Sequence, residues 1–586
     1  MARRRTIRVP DVTGGLTDFP ELAAPGNADL AVNVEYRNGG VSTRQGTLRQ
    51  TTLVNQAHLF KGFWHYRTTR GASYYLMAYV IADGGANDLE GRLLVLATNG
   101  NIVQQLTFVD TVFNSVTFPH DLVRWGGVSW QDTGDEEVEF LIGTSTPSPG
   151  AGGSATALWR VEPAGGGPFQ MFSVIPVDRT AAPFWGAVNT DITKSDDLGP
   201  YLPGVSQIGG PALSVYNNRL VTSMSDFSED WNNRFSVRVS NLGDKNGWPQ
   251  PGYVLYGARD PLEVTAIADW EGRMLVWTRS SMWTTQYESP KNHATTKVFN
   301  DTGCIARDTV KQITKAGRSW VVWLAEDGLY AWAGGSEPKY VSKNVEKRIR
   351  SALAGGLGEW SHSFHDSENN QYLLYLEGTQ DVLVWDYEYD AWSTWEFRDS
   401  GTVVKPLGWA RETSHSSPPA MVALVDSATP QIRIEFIHLR TNGYTDNFAG
   451  TDRDYTSSWR SSPIPFGRNE VARVRYIRPT VSMQEDNNTR AIYWQRDNES
   501  RATSNALGQN TTIPGFPVLP SGAPATFGNI TFNQEQFGAQ KEFYPRADCF
   551  GGPTKTIQVG IEEVTRNQPF HLLALELDIV SRGVRR

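Results

Sequence analysis

The chain has 586 residues, 39% hydrophobic and 20% charged, and it carries 20 Trp, 21 Tyr and 25 Phe. That is enough apolar material for a large core, and too much for a disordered, solvating chain. The formal charge is −9; without Arg3, Arg4, Arg5 and Arg8, 50 basic residues face 63 acidic ones, so an acidic body at −13 follows a basic first segment. An acidic body argues against wrapping nucleic acid by neutralising its phosphates.

The longest apolar run, Tyr74–Ala82, is nine residues, against the ~20 that a membrane-spanning helix needs. No membrane insertion is expected. Met1–Arg5 is basic but no apolar stretch follows it, so it does not read as a secretory leader. Two cysteines, Cys304 and Cys549, are too few for a disulfide framework or a four-thiolate zinc site.

In chain order, residues 1–57 hold few strand signals and read as an extended N-terminal arm. Residues 58–440 hold a series of short apolar runs bounded by Gly, Asn, Asp or Pro. Several repeat one pattern of turn, Arg, then apolar strand: Asn218-Arg219-Leu220, Gly272-Arg273-Met274 and Gly317-Arg318-Ser319. Taking Leu94, Phe140, Leu220, Leu275, Val322, Leu374 and Ala423 as strand centres, the gaps are 46, 80, 55, 47, 52 and 49 residues. Five of the six gaps sit near the ~40–50 residues of a four-stranded propeller blade. The long gap holds a Gly/Pro-rich insertion near 163–212. The expected fold is all-β: a β-propeller of six or seven blades over 58–440, with the arm before it. Trp159, Trp283, Trp332 and Trp385 end the strands that follow these runs. Val382–Ser393 reads as a strand, a turn and a second strand whose tryptophans pack between blades.

One helix is legible. Asn344 is its expected cap, Val345, Ile349 and Leu353 fall on one face, and Gly355-Gly356 ends it. Residues 441–586 form an expected β-rich C-terminal domain with a long loop near 503–529. There Ala472–Arg478 alternates apolar with Arg473, Arg475 and Arg478, the pattern of a strand with one wet, cationic face.

Chemical motifs are sparse. His362 and His365 are spaced to face opposite sides of a strand, and no third ligand is near, so no metal is expected. There is no phosphate-cradling loop with its Lys-Ser/Thr and no Gly-x-Ser-x-Gly elbow. Asp135-Glu136-Glu137 reads as a solvated hairpin turn. Glu326-Asp327-Gly328-Leu329-Tyr330-Ala331-Trp332 approaches a sialidase blade motif without its Ser and without a second copy. Neither catalytic residues nor a cofactor are expected, and the chain reads as a non-enzyme.

Several segments together resemble the tail nozzle proteins (tail tubular protein B, or DNA-stabilisation hub) of short-tailed bacteriophages. They are Ala31–Gly46 with its Asn38-Gly39 and Arg44, then Leu262–Ile267 followed by Gly272–Thr278 and Met282-Trp283. Thr302–Val310 followed by Glu326–Tyr330, and the ending Ser581-Arg582-Gly583, complete the set. The resemblance implies a structural virion protein, located in the tail and assembled in the host cytoplasm. It implies a homo-oligomer, a hexameric ring that retains the packaged genome and conducts it during ejection. Its partners would be a tail adaptor or portal-proximal proteins, tail fibres or spikes, and DNA passing through the lumen without sequence-specific binding.

Six copies of a −9 chain carry about −54, which suits a lumen that repels phosphate. The basic residues Arg3, Arg4, Arg5, Arg473, Arg475 and Arg478 are then expected at protein–protein contacts. The alternative is a carbohydrate-binding or glycan-cleaving propeller used in host-receptor recognition, for which carboxylates and arginines would converge at the propeller mouth.

Overall fold

The computed structural model describes most of the chain between residues 3 and 584; the longest stretches outside the described residues are 109–123, 145–156, 174–211, 224–235, 497–508 and 514–541. The insertion near 163–212, most of the loop near 503–529, and Cys549 fall largely or wholly outside them.

Seven antiparallel four-stranded sheets fan around one axis, so the fold is a seven-bladed β-propeller. Blade 1 runs Leu59–Arg67, Ser73–Ala82, Leu89–Ala97 and Ile102–Thr107. Blades 2 to 5 begin with Gly126–Trp130, Leu213–Tyr216, Val264–Trp270 and Lys311–Lys315, and each is a simple meander. Blade 6 is His362–Asp366, Gln371–Tyr375, Asp381–Asp386 and Ala391–Glu396. Blade 7 takes three strands from its own stretch, Thr402–Ala410, Ala420–Asp426 and Ile432–Leu439. Its fourth comes from the N-terminal arm: Thr47–Val54 pairs antiparallel with Ile432–Leu439. The ring is thus closed by hydrogen bonds between segments some 380 positions apart, and Thr402–Ala410 packs beside Leu59–Arg67.

Local sequence explains the meanders. A two-residue turn whose twist matches the strands needs positive φ at both central positions. Glu271 and Gly272 (48° and 72°), Ala316 and Gly317 (51° and 71°) and Asn217 and Asn218 (45° and 56°) meet that demand. These are the turns of the turn–Arg–strand pattern, and the apolar run after each is its blade's second strand. Six of the seven strand centres lie in second strands; Leu94 lies in the third strand of blade 1.

Blades are apolar on both faces because each is sandwiched between neighbours. Seven separate apolar clusters result, one per blade interface. Between blades 4 and 5, Trp277 meets Trp323 at 5.6 Å and Trp270 meets Trp332 at 4.8 Å between ring centroids. Such ring pairs add roughly 0.5–1.5 kcal/mol beyond the area they bury.

The C-terminal region is built onto blade 6 and onto the arm. Beyond Ala391–Glu396 the sheet continues through Ala28–Val32, Ser457–Ser461, Thr556–Glu563, Arg490–Arg496 and Gln509–Ile513. A second sheet joins the hairpin Val34–Arg37 and Gly40–Thr43 to His571–Val584 and Glu470–Ser482, with Arg3–Val9 also on His571–Val584. The two share a core of Val34, Trp459, Val474, Ile561 and Leu577 that runs on into the interface of blades 5 and 6. The arm is therefore extended but woven through the propeller and the C-terminal sheets.

The helix spans Glu346–Leu353, with Val345 and Ile349 buried on one face. Asn344 is not its cap. A 3-10 turn, Lys343–Val345, leads in, and Val345 at the cap makes no side-chain cap bond. Asp18 of the arm does that work: its carboxylate accepts the Arg348 N–H (3.1 Å) and pairs with the Arg348 guanidinium (2.9 Å), while its own N–H donates to the Asn344 carbonyl (2.6 Å).

Candidate functional site

In a four-stranded meander, the chain enters the first strand, turns between the second and third, and leaves the fourth at the same end. All blade-to-blade connections therefore share one face with the second-to-third turns. Three features gather groups capable of binding or chemistry: two on this connection face and one on the C-terminal sheet.

The first is a cluster at the mouth of the propeller axis. Arg124 precedes the inner strand of blade 2 and reaches across to blades 6 and 7. Its Nη2 donates to His362 Nδ1 (2.8 Å) and its Nη1 to the Leu407 carbonyl (2.7 Å). Arg307, just before blade 5, donates from Nη2 to the Trp125 carbonyl (2.7 Å) and from Nε and Nη2 to Asp308 Oδ1 (2.9 and 2.6 Å). Asp308 Oδ2 lies 3.6 Å from Arg124. Arg124 and His362 are 8% and 2% exposed.

Charge at the mouth is mostly positive. Burial works to raise the Asp308 pKa, but the guanidinium groups of Arg307 and Arg124 and the Lys311 ammonium outweigh it and hold the carboxyl at about 2. Burial, aided by Arg124, pushes His362 well below the usual imidazole range, so the ring is neutral. Burial also lowers Arg124 and Lys311, with Asp308 only partly compensating. Asp308 is therefore a permanent anion, the opposite of the raised carboxyl a general acid requires.

The second feature is a cleft of about 460 Å³ over blades 4 and 5. Its lining includes Arg279 from the second-to-third turn of blade 4, Glu326 and Asp327 from that of blade 5, Arg350 and Leu353 of the helix, and Glu359. Arg279 and Glu359 form an ion pair, and Asp327 accepts from the Tyr330 hydroxyl (2.8 Å). The sequence segment resembling a sialidase motif thus supplies this cleft wall and does not reach the axis cluster.

The third feature gathers most of the arginines singled out in the sequence. His571–Val584 lies between Arg3–Val9 and Glu470–Ser482. Val580 is opposite both Arg4 and Arg473, and Glu576 opposite both Arg8 and Arg478. Directly paired residues share a face, so Arg4, Arg8, Arg473 and Arg478 are on one side. A bulge between Val474 and Tyr476 leaves Arg475 exposed there as well, with its guanidinium 5.4 Å from the Tyr476 ring. The opposite side, with Ile7, Leu577, Ile579, Val474 and Ile477, packs on the core.

Five arginines thus surround Glu576 and Asp578. Arg4 chelates Asp578 (3.1 and 2.5 Å) and lowers its pKa, and Arg8 lies 3.4 Å from Glu576, yet the Arg4 and Arg8 side chains are 62% and 67% exposed. Arg5 alternates to the other side and pairs with Glu470 at 2.8 Å. Of Arg3 only the strand position, opposite Ser581, is described. Pairing of the two chain ends has no local signal, which is why sequence spacing alone could not join these arginines. The axis cluster was equally hidden, because its members come from four blades.

His362 and His365 do not share a ligand position: His362 faces Arg124, and His365 bonds the Tyr387 hydroxyl (3.0 Å). No group of three metal-ligating side chains occurs among the described residues.

No protein-family model matches the sequence. No curated protein matches it either. Solved structures similar to the chain include an acylaminoacyl peptidase of Pyrococcus horikoshii, at 8% identity and TM-score 0.33, covering 70% of this chain and 59% of that one. The chain thus spans under two thirds of that peptidase. An alpha-L-arabinanase of Penicillium chrysogenum complexed with arabinobiose matches at 8% identity and TM-score 0.31, over 67% of this chain and 98% of that one. A family 43 arabinoxylan arabinofuranohydrolase of Bacillus subtilis matches at 11% identity and TM-score 0.25, over 91% and 99%.

Proposed function

We propose that the chain is a structural, ring-forming subunit of the tail nozzle kind, in which the propeller is a wall element and not a catalyst. One observation carries the reading: an exposed sheet face bearing Arg4, Arg8, Arg473, Arg475 and Arg478, on a chain whose net charge is −9. A flat cationic face on a chain of net negative charge suits contact with a second copy, and repetition of such a heterologous contact gives a ring when the rotation between copies closes. The axis cluster supports the same reading. Side chains at the entries to blades 2 and 5 and on blade 6, with the Leu407 carbonyl of blade 7, meet across the propeller axis, so a DNA conduit would run between subunits.

The test is the native mass of the purified full chain. One copy is 65.1 kDa, and a six-membered ring is about 390 kDa. Arg473→Glu combined with Arg475→Glu should shift the particle toward monomer. A monomeric parent chain at high concentration and low salt would end the ring reading. Salt-sensitive binding of duplex DNA by that face would also overturn it.

A second reading, a glycan-binding propeller, is favoured by the cleft with Glu326, Asp327, Arg279 and Arg350 on the connection face. Saccharide-dependent perturbation of Trp or Tyr fluorescence, lost in Arg279→Ala, would support it. No response to a broad set of neutral and acidic glycans would remove it.

A further inference from the structure

We infer that the cleft over blades 4 and 5 is a binding site for an organic cation, an ammonium or guanidinium group carried on a short aliphatic stem. This goes beyond the ring reading and does not depend on it, and it gives the cleft a ligand of different chemistry from a neutral saccharide.

The cleft offers space and an apolar wall. Its volume of about 460 Å³ falls within the ~300–1,000 Å³ of ordinary small-molecule sites. Ile305, Leu353 and Ala354 form an aliphatic part of the lining. Gly358 lets that part close up: a Cβ there would stand 2.8 Å from Ile305 Cδ1 and 2.9 Å from Leu353 Cδ2. The stem of a basic group packs well on such a surface while its charged end stays polar.

Charge selects the sign of the ligand. The two cations of the lining are already matched: Arg279 pairs with Glu359, and Arg350 Nη2 pairs with Glu346 Oε1 one turn back on its helix (2.7 Å). Glu326 and Asp327, from the second-to-third turn of blade 5, form no ion pair among the described residues. Asp327 Oδ2 accepts from the Tyr330 hydroxyl (2.8 Å), which leaves Oδ1 to take a further donor. The helix adds to this independently. Glu346–Leu353 ends at the cleft, with Leu353, Ala354 and Gly356 in the lining, so its negative C-terminal partial charge is presented there. A cation would meet two unmatched carboxylates and a helix C-terminus at once, and hydrogen bonds between ionised groups are the strong ones. An anion would meet the same groups as repulsion.

The experiment is calorimetric titration of pentylamine, agmatine and pentanol into the full chain at low, matched ionic strength. Pentylamine and agmatine should bind saturably, and pentanol roughly tenfold more weakly or worse. Acetyl-arginine methylamide separates the sources: its binding assigns the site to a basic side chain of a protein, and binding of the free amines alone assigns it to small amines. Glu326→Gln combined with Asp327→Asn keeps an acceptor for the Tyr330 hydroxyl. That pair should weaken pentylamine by roughly tenfold or more with Tm unchanged. Arg350→Gln, which removes a like charge and frees Glu346, should leave the affinity equal or tighter. No saturable binding of either amine at about 10 mM would overturn the site. So would equal binding of pentanol, an affinity that survives the double substitution, or one that falls in Arg350→Gln.

Discussion

Arg44 and Asp446, 402 positions apart, form a bidentate ion pair that water does not reach: Nη1 to Oδ1 is 2.9 Å, Nη2 to Oδ2 is 2.5 Å, and both side chains are at most 1% exposed. Arg44 Nε also donates to Asn33 Oδ1 (3.0 Å), and its guanidinium stacks 4.0 Å from the Tyr455 ring. The pair fastens the arm to the segment that follows blade 7.

Deleting one partner strands a buried charge, at a cost of roughly 3–5 kcal/mol. Arg44→Ala should therefore lose that much stability in urea unfolding. Arg44→Lys should recover little of it, since an ammonium cannot present the two-pronged contact. A loss below about 1 kcal/mol for Arg44→Ala would contradict this account.

Ring closure makes a regional prediction. Leu53 lies on Thr47–Val54 and is buried in the cluster between blades 7 and 1. Leu53→Asp should raise amide hydrogen exchange in Ile432–Leu439 and Leu59–Arg67 while Val264–Trp270 stays protected. Uniform loss of protection around the ring would mean that closure is not a local seam.

Much of the propeller was legible for a physical reason. Second strands such as Gln371–Tyr375 are buried at every position because blades press on both faces, so they read as unbroken apolar runs. Outer strands such as Asn292–Phe299 are exposed at most positions and leave no such mark. The arm was illegible for the opposite reason: Thr47–Val54 is a strand only because Ile432–Leu439 offers it an edge. At the sites, the alternation at Arg473, Arg475 and Arg478 foretold an exposed face, whereas nothing near Arg124 indicates that it meets His362.

Asp386 is 3% exposed, and burial pushes its carboxyl up to about 7. A raised acid binds its proton more tightly in the folded state, so its contribution to stability declines as pH rises from about 4 to about 7. Asp386→Asn keeps the acceptor for the Tyr389 N–H (3.3 Å) and removes the charge. It should be more stable than the parent at pH 8, by up to ~4 kcal/mol, with the gap narrowing toward pH 4. A gap that does not change with pH would refute the assignment.

Asp308 should act with the opposite sign. Held at about 2 by Arg307 and Arg124 against the effect of burial, it stabilises the fold above about pH 4 and loses that contribution as pH falls toward 2. Asp308→Asn should be less stable than the parent at pH 7 and converge with it near pH 2. Parallel stability curves across that range would count against the cluster geometry.

The strand that seals blade 7 has a consequence for biogenesis. Thr47–Val54 leaves the ribosome early, while Ile432–Leu439, which it must join, is translated hundreds of residues later. Until then Thr47–Val54 carries an unpaired edge that invites mispairing between nascent chains. Production of this protein should therefore be unusually sensitive to elongation speed and to holding chaperones, and the circle of blades can lock only after Ile432–Leu439 has emerged.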